Sequence, residues 1–592
     1  MTHVNSDHAG VQAEGTVASS AEAGTIAAEL KAGVLTDKAA DRRWMIWLVV
    51  AAVVVAGAYV LLWSPWWYPL SDSSLFIALA RNLDEGRGYT YMGRPHRMVM
   101  PLTPALLWGL MQFSRSFGLM NGAMIGCMLG SFVFMYLALK EWMDRRAALG
   151  LTVVSALTYW QFRLATVIMS EQPFVLVFWM GLYFLALGRR RPERRAVWLM
   201  LAAGAFFVGV GFRLAGGLMI PVIAIGVWLE YRDRMPRWRR TALAAAIVLP
   251  MVVAVGAYDL SQIGKGGRKP REFVPLPKRA PAATSQEADE QTSQIVRYIP
   301  RARILMAGVC RFPGVLGRWL CESLVAPSRE ALKRLGSMWE ALLAGLIGVV
   351  ALVGVWQQLR ERNWWLLVPI LYVLAFVALW GTRYIPRYLV PVMPMVLLWL
   401  STGTGAILAR GASWLGMREL SGNLRRIGMI AVPVAVLLCN LPLLVAEIYA
   451  GHKGSFYATI RQGATAELVD AAAYIRKQLP QETVICTNDY ARRREVHLLT
   501  GRGVAMYRGV RIIGPEDEQS VRRFFVRTGA RCALIRYLGV AYPEWHFGLT
   551  RGARKAASWW GLYIWDEEQE KPVRIVPAED RGWLREVPDS AI

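Results

Sequence analysis

The chain has 592 residues, 55% of them hydrophobic, with 68 Lys and Arg against 43 Asp and Glu and a formal net charge of +25 at pH 7. Its mean hydropathy of +0.31 excludes an ordinary soluble protein. A nucleic-acid partner is excluded too, because that requires basic residues gathered on a soluble face, whereas here they fill short turns between apolar runs, as membrane topology demands.

Residues 1–41 are rich in Ala, Gly, Ser, Thr and Glu and read as a disordered cytoplasmic leader. Arg42 and Arg43 precede an apolar run from Trp44 to Trp63 that is long enough to span a bilayer. No small-residue cleavage site follows, so it reads as an uncleaved first helix with its N-terminus inside. Further spans are predicted at 119–139, 147–162, 172–188, 196–212, 214–230, 241–261, 338–356, 364–381, 387–409 and 427–449. The shorter apolar piece 102–115 reads as re-entrant or interfacial. The expectation is about eleven crossings in a transmembrane domain over 42–449.

The turns sort by charge. Arg145 and Arg146, Arg189 to Arg195, Arg232 to Arg240, Arg360 and Arg362, and Arg410 to Arg426 fall on one side. The positive-inside rule makes that side cytoplasmic. Three segments then lie outside: the loop 64–104, the loop 262–337 and the tail 450–592. In the tail an amphipathic stretch, Ala464 to Leu479, precedes β-prone runs at Thr483–Thr487, Val504–Tyr507, Ala533–Tyr537 and Leu562–Trp565. Helical stretches separate the first three, which predicts a small extracytoplasmic α/β domain.

Within the first outer loop, Ser71 or Asp72 can cap a helix whose apolar face is Leu75, Phe76, Leu79 and Leu83. Gly86 and Gly88 stop it, and Tyr89, Tyr91, Arg94, His96 and Arg97 follow. Ionisable residues at the edges of apolar segments are costly and mark function by default. Four places qualify on the predicted outer face: Asp72; Arg163 with Glu171; Arg213; and Arg383, Tyr384, Arg387 and Tyr388. Two acids with several arginines there suit an anionic, lipid-linked substrate.

Each candidate also has a plainer reading. Asp72 serves as an N-cap, Glu171 and Arg163 form a structural ion pair, and Arg383 and Arg387 snorkel to lipid headgroups. His96 and Arg97 are then solvated loop residues. The tail offers Asp489, Arg492, Arg493 and Arg494 but no nucleophile–base pair or metal spacing, and reads as a binding or lid domain. No Walker-type phosphate loop and no zinc spacing of Cys or His occur in the sequence. With six Cys there is no disulfide framework; Cys127 and Cys439 read as core, while Cys310 with Cys321 and Cys486 with Cys532 stay open between bridges and free thiols.

The order of these features resembles the GT-C glycosyltransferases. Asp72 follows the first helix, then come the Gly86, Gly88, Tyr89 turn, Ser170-Glu171 opening a later helix, Arg387-Tyr388 with Pro391 and Pro394, and an α/β tail. Among them the chain is most similar to the bacterial branch of protein mannosyltransferases, the aminoarabinose transferase of lipid A and the Rgt-type lipopolysaccharide galacturonosyltransferases. The resemblance covers most of 44–409. It implies a polyprenyl-phosphate-linked sugar as donor, a lipid, glycan or protein acceptor, and an active site at the extracytoplasmic membrane face. Asp72 would be the base. Arg387, then Arg213, Arg163, Arg383 and Tyr388, would hold the donor phosphate, and Tyr89, His96 and Arg97 the sugar or acceptor. Glu171 would orient the acceptor, hold a cation or position an arginine. Family members often carry a second acid beside the first; Ser73 stands there, which leaves a divalent cation, Mg or Mn, an open expectation. The rival classes are a transporter or flippase, which needs polar residues deep in broken helices, and a non-catalytic envelope-assembly scaffold.

Overall fold

The structure, a computed structural model, describes residues 42–263 (with gaps at 69, 93, 97–98 and within 214–234), 337–360, 386–452, 466–488, 493–506, 518–536 and 560–576 except 567, together with 317, 320, 324, 370 and 372. The chain divides into two units, Met1–Ala56 and Gly57–Ile592. The first is described from residue 42, as the start of helix α1 (Arg42–Leu61). The predicted leader 1–41, most of the outer loop 262–337 with Cys310 and Cys321, and most of the spans 214–230 and 364–381 lie outside the described residues.

The membrane part is helical. After α1 come α2 (Ser71–Asp84), the hairpin strands β1 (Thr90–Tyr91) and β2 (Arg94–Pro95), α3 (Leu102–Met111), α4 (Phe117–Leu139), α5 (Arg145–Ala156), α6 (Tyr159–Ala165), α7 (Glu171–Arg190), α8 (Arg195–Phe212), α9 (Arg237–Ile263), α10 (Ser337–Arg360), α11 (Met393–Trp414) and α12 (Arg418–His452). Seven helices among the described residues are long and apolar enough to cross a bilayer, against the eleven expected. One difference has a clear cause. The predicted span 147–162 is two short helices, α5 and α6, broken at Leu157 and Thr158. The break is stabilised from afar: the Tyr159 amide donates to the Asn440 side chain of α12 at 2.7 Å, and Gln161 donates to the Val390 carbonyl at 3.0 Å. Buried backbone groups freed by a broken helix need such partners.

Lipid-facing and packed surfaces separate by helical spacing. Helix α12 exposes Ile427, Ile430, Val434, Leu438, Leu441 and Val445, the stripe a bilayer solvates, and Cys439, expected in the core, is exposed beside it. Where α10 meets α11 the backbones nearly touch. A Cβ at Gly354 would lie 1.9 Å from the Trp399 carbonyl oxygen, and one at Gly403 the same distance from that of Val350, so only glycine permits this crossing.

Helix α2 lies just after α1 and is too amphipathic to span. It buries Leu75, Phe76, Ile77 and Leu79, at about 1.5–3 kcal/mol per large apolar side chain. Its N-terminus is fixed by Trp67, whose indole donates to Ser73 at 2.9 Å. The N-cap position is Leu70, and no side chain caps it, so Asp72 is not spent on the helix end as the capping reading required. The stop at Gly86 and Gly88 is as expected: both hold the left-handed conformation, at φ +72° and +71°.

The tail is a mixed sheet with helices. Its elements are α13 (Ala466–Gln478), β3 (Ile485–Thr487), α14 (Arg493–Thr500), β4 (Val504–Met506), α15 (Glu518–Thr528), β5 (Cys532–Arg536), β6 (Trp560–Asp566) and β7 (Lys571–Val576). The strand order is β4-β3-β5-β6-β7, with the first three parallel and the last two antiparallel. Val521, Phe524 and Phe525 of α15 pack on Cys486, Ala533, Ile535 and Tyr563 of the sheet. The four predicted strands are present; β7, which reads KPVRIV, is an addition. Cys486 and Cys532 are buried free thiols.

Candidate active site

Five charged side chains, far apart in sequence, meet in one cluster. Asp72 sits in the first turn of α2 and Glu171 at the first residue of α7. Arg213 follows the last residue of α8. Arg387 lies in a 3-10 segment, Pro386–Val392, that leads into α11, and Arg494 lies in the first turn of α14 in the tail.

Arg387 is the bridge between the acids. Its Nη2 donates to Asp72 Oδ2 at 2.7 Å, while its Nε lies 3.1 Å from Glu171 Oε1. Arg213 Nη1 is 2.6 Å from the same Glu171 oxygen, and Arg494 Nη1 donates to Asp72 Oδ1 at 2.8 Å. Tyr388 lies under both inner guanidiniums, 4.5 Å from Arg213 and 5.6 Å from Arg387. A ring face against a guanidinium holds the fork in plane by cation–π attraction.

Exposure divides the roles. The Glu171 side chain is 1% exposed and that of Asp72 34%, with Arg387 at 21% between them. Glu171 is thus an inner anchor for two arginines, and Asp72 is the more open of the two acids. Burial pushes the Asp72 carboxyl up, but Arg387, by charge and hydrogen bond, together with Arg494 and Arg213, holds it below the usual carboxylate range. Asp72 is ionised at neutral pH. Among the described residues, three guanidiniums against two carboxylates leave the cluster net positive, which suits an anion.

The other sequence candidates lie elsewhere. Arg163 does not join the cluster and does not pair with Glu171. It forms a buried ion pair with Glu447 of α12, donates to Thr166 at 3.1 Å and stacks over Tyr68 at 4.3 Å. Tyr89 and His96 pack edge-on to each other at 5.9 Å, as do Tyr91 and His96, and Tyr91 meets His497 of α14 at 4.8 Å. The Tyr89 hydroxyl donates to the Val99 carbonyl at 2.9 Å. These aromatics join the hairpin to the tail. Burial, then the Arg494 charge, pushes the His96 imidazole down to about 4. Arg383 and Arg97 lie outside the described residues.

Two residues have contacts that the sequence reading did not assign. Arg494 was one of three consecutive arginines with nothing to single it out, and its partner is 422 positions away. Glu447 was legible: an acid within the apolar run LPLLVAEIYA meets the same rule that flagged Glu171.

The divalent cation left open by the sequence finds no fitting donor set. Among the described residues no group of three or more His, Cys, Asp or Glu converges. In the cluster both oxygens of Asp72 and one of Glu171 already face guanidiniums.

No protein-family model matches the chain, and no curated protein matches it. Solved structures do. Archaeal oligosaccharyltransferase AglB from Archaeoglobus fulgidus, in complex with an inhibitory peptide and a dolichol-phosphate, aligns at TM-score 0.50 and 13% identity, over 83% of this chain and 69% of that one. The same oligosaccharyltransferase in complex with Zn and sulfate aligns at TM-score 0.49 and 12% identity, over 82% and 68%. ArnT from Cupriavidus metallidurans bound to undecaprenyl phosphate aligns at TM-score 0.44 and 15% identity, over 90% and 98%. The chain is a multi-pass membrane protein with the GT-C fold and a small sheet-containing C-terminal region.

Proposed function

We propose that this GT-C-fold protein is a glycosyltransferase that moves a sugar from a polyprenyl-phosphate donor to a hydroxyl of a lipid, glycan or protein at the extracytoplasmic face of the membrane. The observation that carries this reading is the convergence of Asp72, Glu171 and Arg387, with Arg213 and Arg494, in one net-positive and partly open cluster. The acids and arginines sit at helix ends, not deep within spans, where chemistry on a leaflet headgroup takes place and where a transport path has little use for them. AglB, with which the fold is shared, is seen with a dolichol-phosphate, a lipid phosphate of the proposed kind. The arginine-rich turns on the other side favour the extracytoplasmic placement.

The chemistry follows from the charges. The acceptor hydroxyl oxygen forms a bond to the anomeric carbon as the bond from that carbon to the phosphate oxygen breaks. The bonding pair leaves with the polyprenyl phosphate, and the hydroxyl proton passes to Asp72. Negative charge grows on the phosphate as the anomeric centre becomes oxocarbenium-like. Arg387, fixed by Glu171 and Tyr388, is preorganised to meet it, with Arg213 behind. The products are the glycosylated acceptor and polyprenyl phosphate.

The test offers radiolabelled polyprenyl-phosphate sugars, with total envelope extract as acceptor, to purified wild type and Asp72→Asn. Label transfer by the wild type alone is expected, and the active donor names the sugar. Equal transfer by both removes Asp72 as base; no transfer with any donor, the extract having been shown to contain unmodified acceptor, removes the reading.

A further inference from the structure

The tail domain reaches into the membrane site through one side chain. Arg494 sits in the first turn of α14, and the far end of that helix is tied into the tail. His497 donates through Nδ1 to the Arg502 carbonyl at 2.7 Å, and Arg502 donates to the Leu479 carbonyl at 2.9 Å. On its other side α14 packs on α2, and His497 meets Tyr91 of β1 edge-on at 4.8 Å. The Arg494 guanidinium is thus placed by a helix held at both faces, and its side chain is 17% exposed.

That placement weakens the reactive acid. Oδ2 of Asp72 accepts from Arg387 and Oδ1 from Arg494, so each carboxylate oxygen already faces a guanidinium. Asp72 is ionised, yet a carboxylate shared by two guanidiniums is a poor base. Release of one arginine makes it a stronger base. Arg387 is the worse candidate, because its Nε is also held by Glu171 at 3.1 Å in the buried half of the cluster. Among the described residues the acid that Arg494 meets is Asp72, on the side where the cluster is open.

We infer that Arg494 is a donor-phosphate ligand supplied by the C-terminal domain, one that neutralises Asp72 in the free protein and passes to the donor's phosphate on binding, uncovering Oδ1 of Asp72 for the acceptor hydroxyl. The inference rests on the glycosyl-transfer reading above for its chemistry. A lipid phosphate presents several oxygens to a planar fork and competes well with a single carboxylate oxygen. The exchange couples the two events the reaction needs: the base is freed when the leaving group arrives. It also gives the tail a reaction role, since without it the site lacks one of its three guanidiniums.

The test uses the full chain in lipid nanodiscs, with undecaprenyl phosphate as the binding probe. Arg494→Ala should weaken its binding about tenfold, the scale of one charge-assisted contact, and slow transfer about 100-fold. The acid limb of kcat/KM should move to higher pH, because Asp72 loses a cation. Arg494→Lys should restore most of the binding and return the acid limb. His497→Ala loosens the contact of α14 with Tyr91 of β1 without removing the charge, and should move both readouts less than Arg494→Ala does. Wild-type binding and an unmoved acid limb in Arg494→Ala would overturn the inference, as would equal effects from His497→Ala. The binding arm needs no turnover, so a wild type that transfers no sugar defeats the glycosyl-transfer reading while probe binding still decides the place of Arg494.

Discussion

Arg387 is where the structure makes its strongest demand. It joins the two acids of the cluster, at 2.7 Å to Asp72 and 3.1 Å to Glu171, and Tyr388 keeps it in plane. Arg387→Ala removes both contacts. Glu171, 1% exposed, then keeps Arg213 at 2.6 Å, so the fold should lose about 1–3 kcal/mol, less than the 3–5 expected for a buried charge stripped of every partner. Catalysis should suffer more. A preorganised donor aimed at developing charge is worth about 100- to 1,000-fold in turnover, or roughly 3–4 kcal/mol. The apparent KM for donor should rise as well, because the phosphate is bound in the ground state too. Arg387→Lys should fall between the two, since one ammonium cannot span both carboxylates. Initial rates with labelled donor, beside melting of the same nanodisc samples, separate the two costs. A well-folded Arg387→Ala protein turning over close to wild type would refute the phosphate-binding role and, with it, the logic of the cluster.

Two further expectations concern stability. Arg163 and Glu447 are both buried, so Arg163→Met alone should cost about 3–5 kcal/mol by leaving Glu447 uncompensated, and the double variant with Glu447→Leu should cost less than either single change; additive losses in denaturant titrations would show the pair to be uncoupled. His96, neutral and buried between Tyr89 and Tyr91, has its folded pKa pushed down to about 4 from an unfolded 6.5, so the unfolded chain binds the proton first and stability falls as pH drops through that window. The loss should reach about 3 kcal/mol near pH 4 and be reduced in His96→Phe; a pH-independent melting profile between 4 and 6.5 would contradict it.

What the sequence could say follows from the range of the interactions involved. Helices such as α4, α7 and α8 are legible because apolar length alone specifies them in a bilayer. The tail strands were legible through local β-propensity. The break between α5 and α6 was not, because what holds it is Asn440, far along the chain. Hydropathy treats 147–162 as one segment and has no access to that partner. The site divides in the same way. Asp72, Glu171, Arg213 and Arg387 stood out because a charge beside an apolar run is costly wherever its partner lies. Arg494 sits in a polar stretch, where an arginine costs nothing, and only the docking of α14 on α2 gives it meaning. Arg163 shows the limit of the rule: the charge is real, but its partner is Glu447 and not the acid eight residues on.

The cluster also explains why the membrane half and the tail hold together. Each of its charges taken singly sits at the end of a helix close to hydrocarbon, where an unpaired ion is expensive. Glu171, the most buried, faces the two inner arginines, and Asp72 joins Arg387 to Arg494 on the open side. The partners at the opening, Asp72 and Arg494, are more exposed than Glu171 and Arg213. An arrangement selected for stability alone would match acids and arginines one to one. Among the described residues the cluster has one guanidinium more than it has carboxylates, as the proposed phosphate ligand requires, and Arg494 is its member from the tail domain. Anion binding at the opening and docking of α14 on α2 should thus be one equilibrium: an occupant that takes Arg494 from Asp72 draws on the same contact that ties the two parts of the protein together.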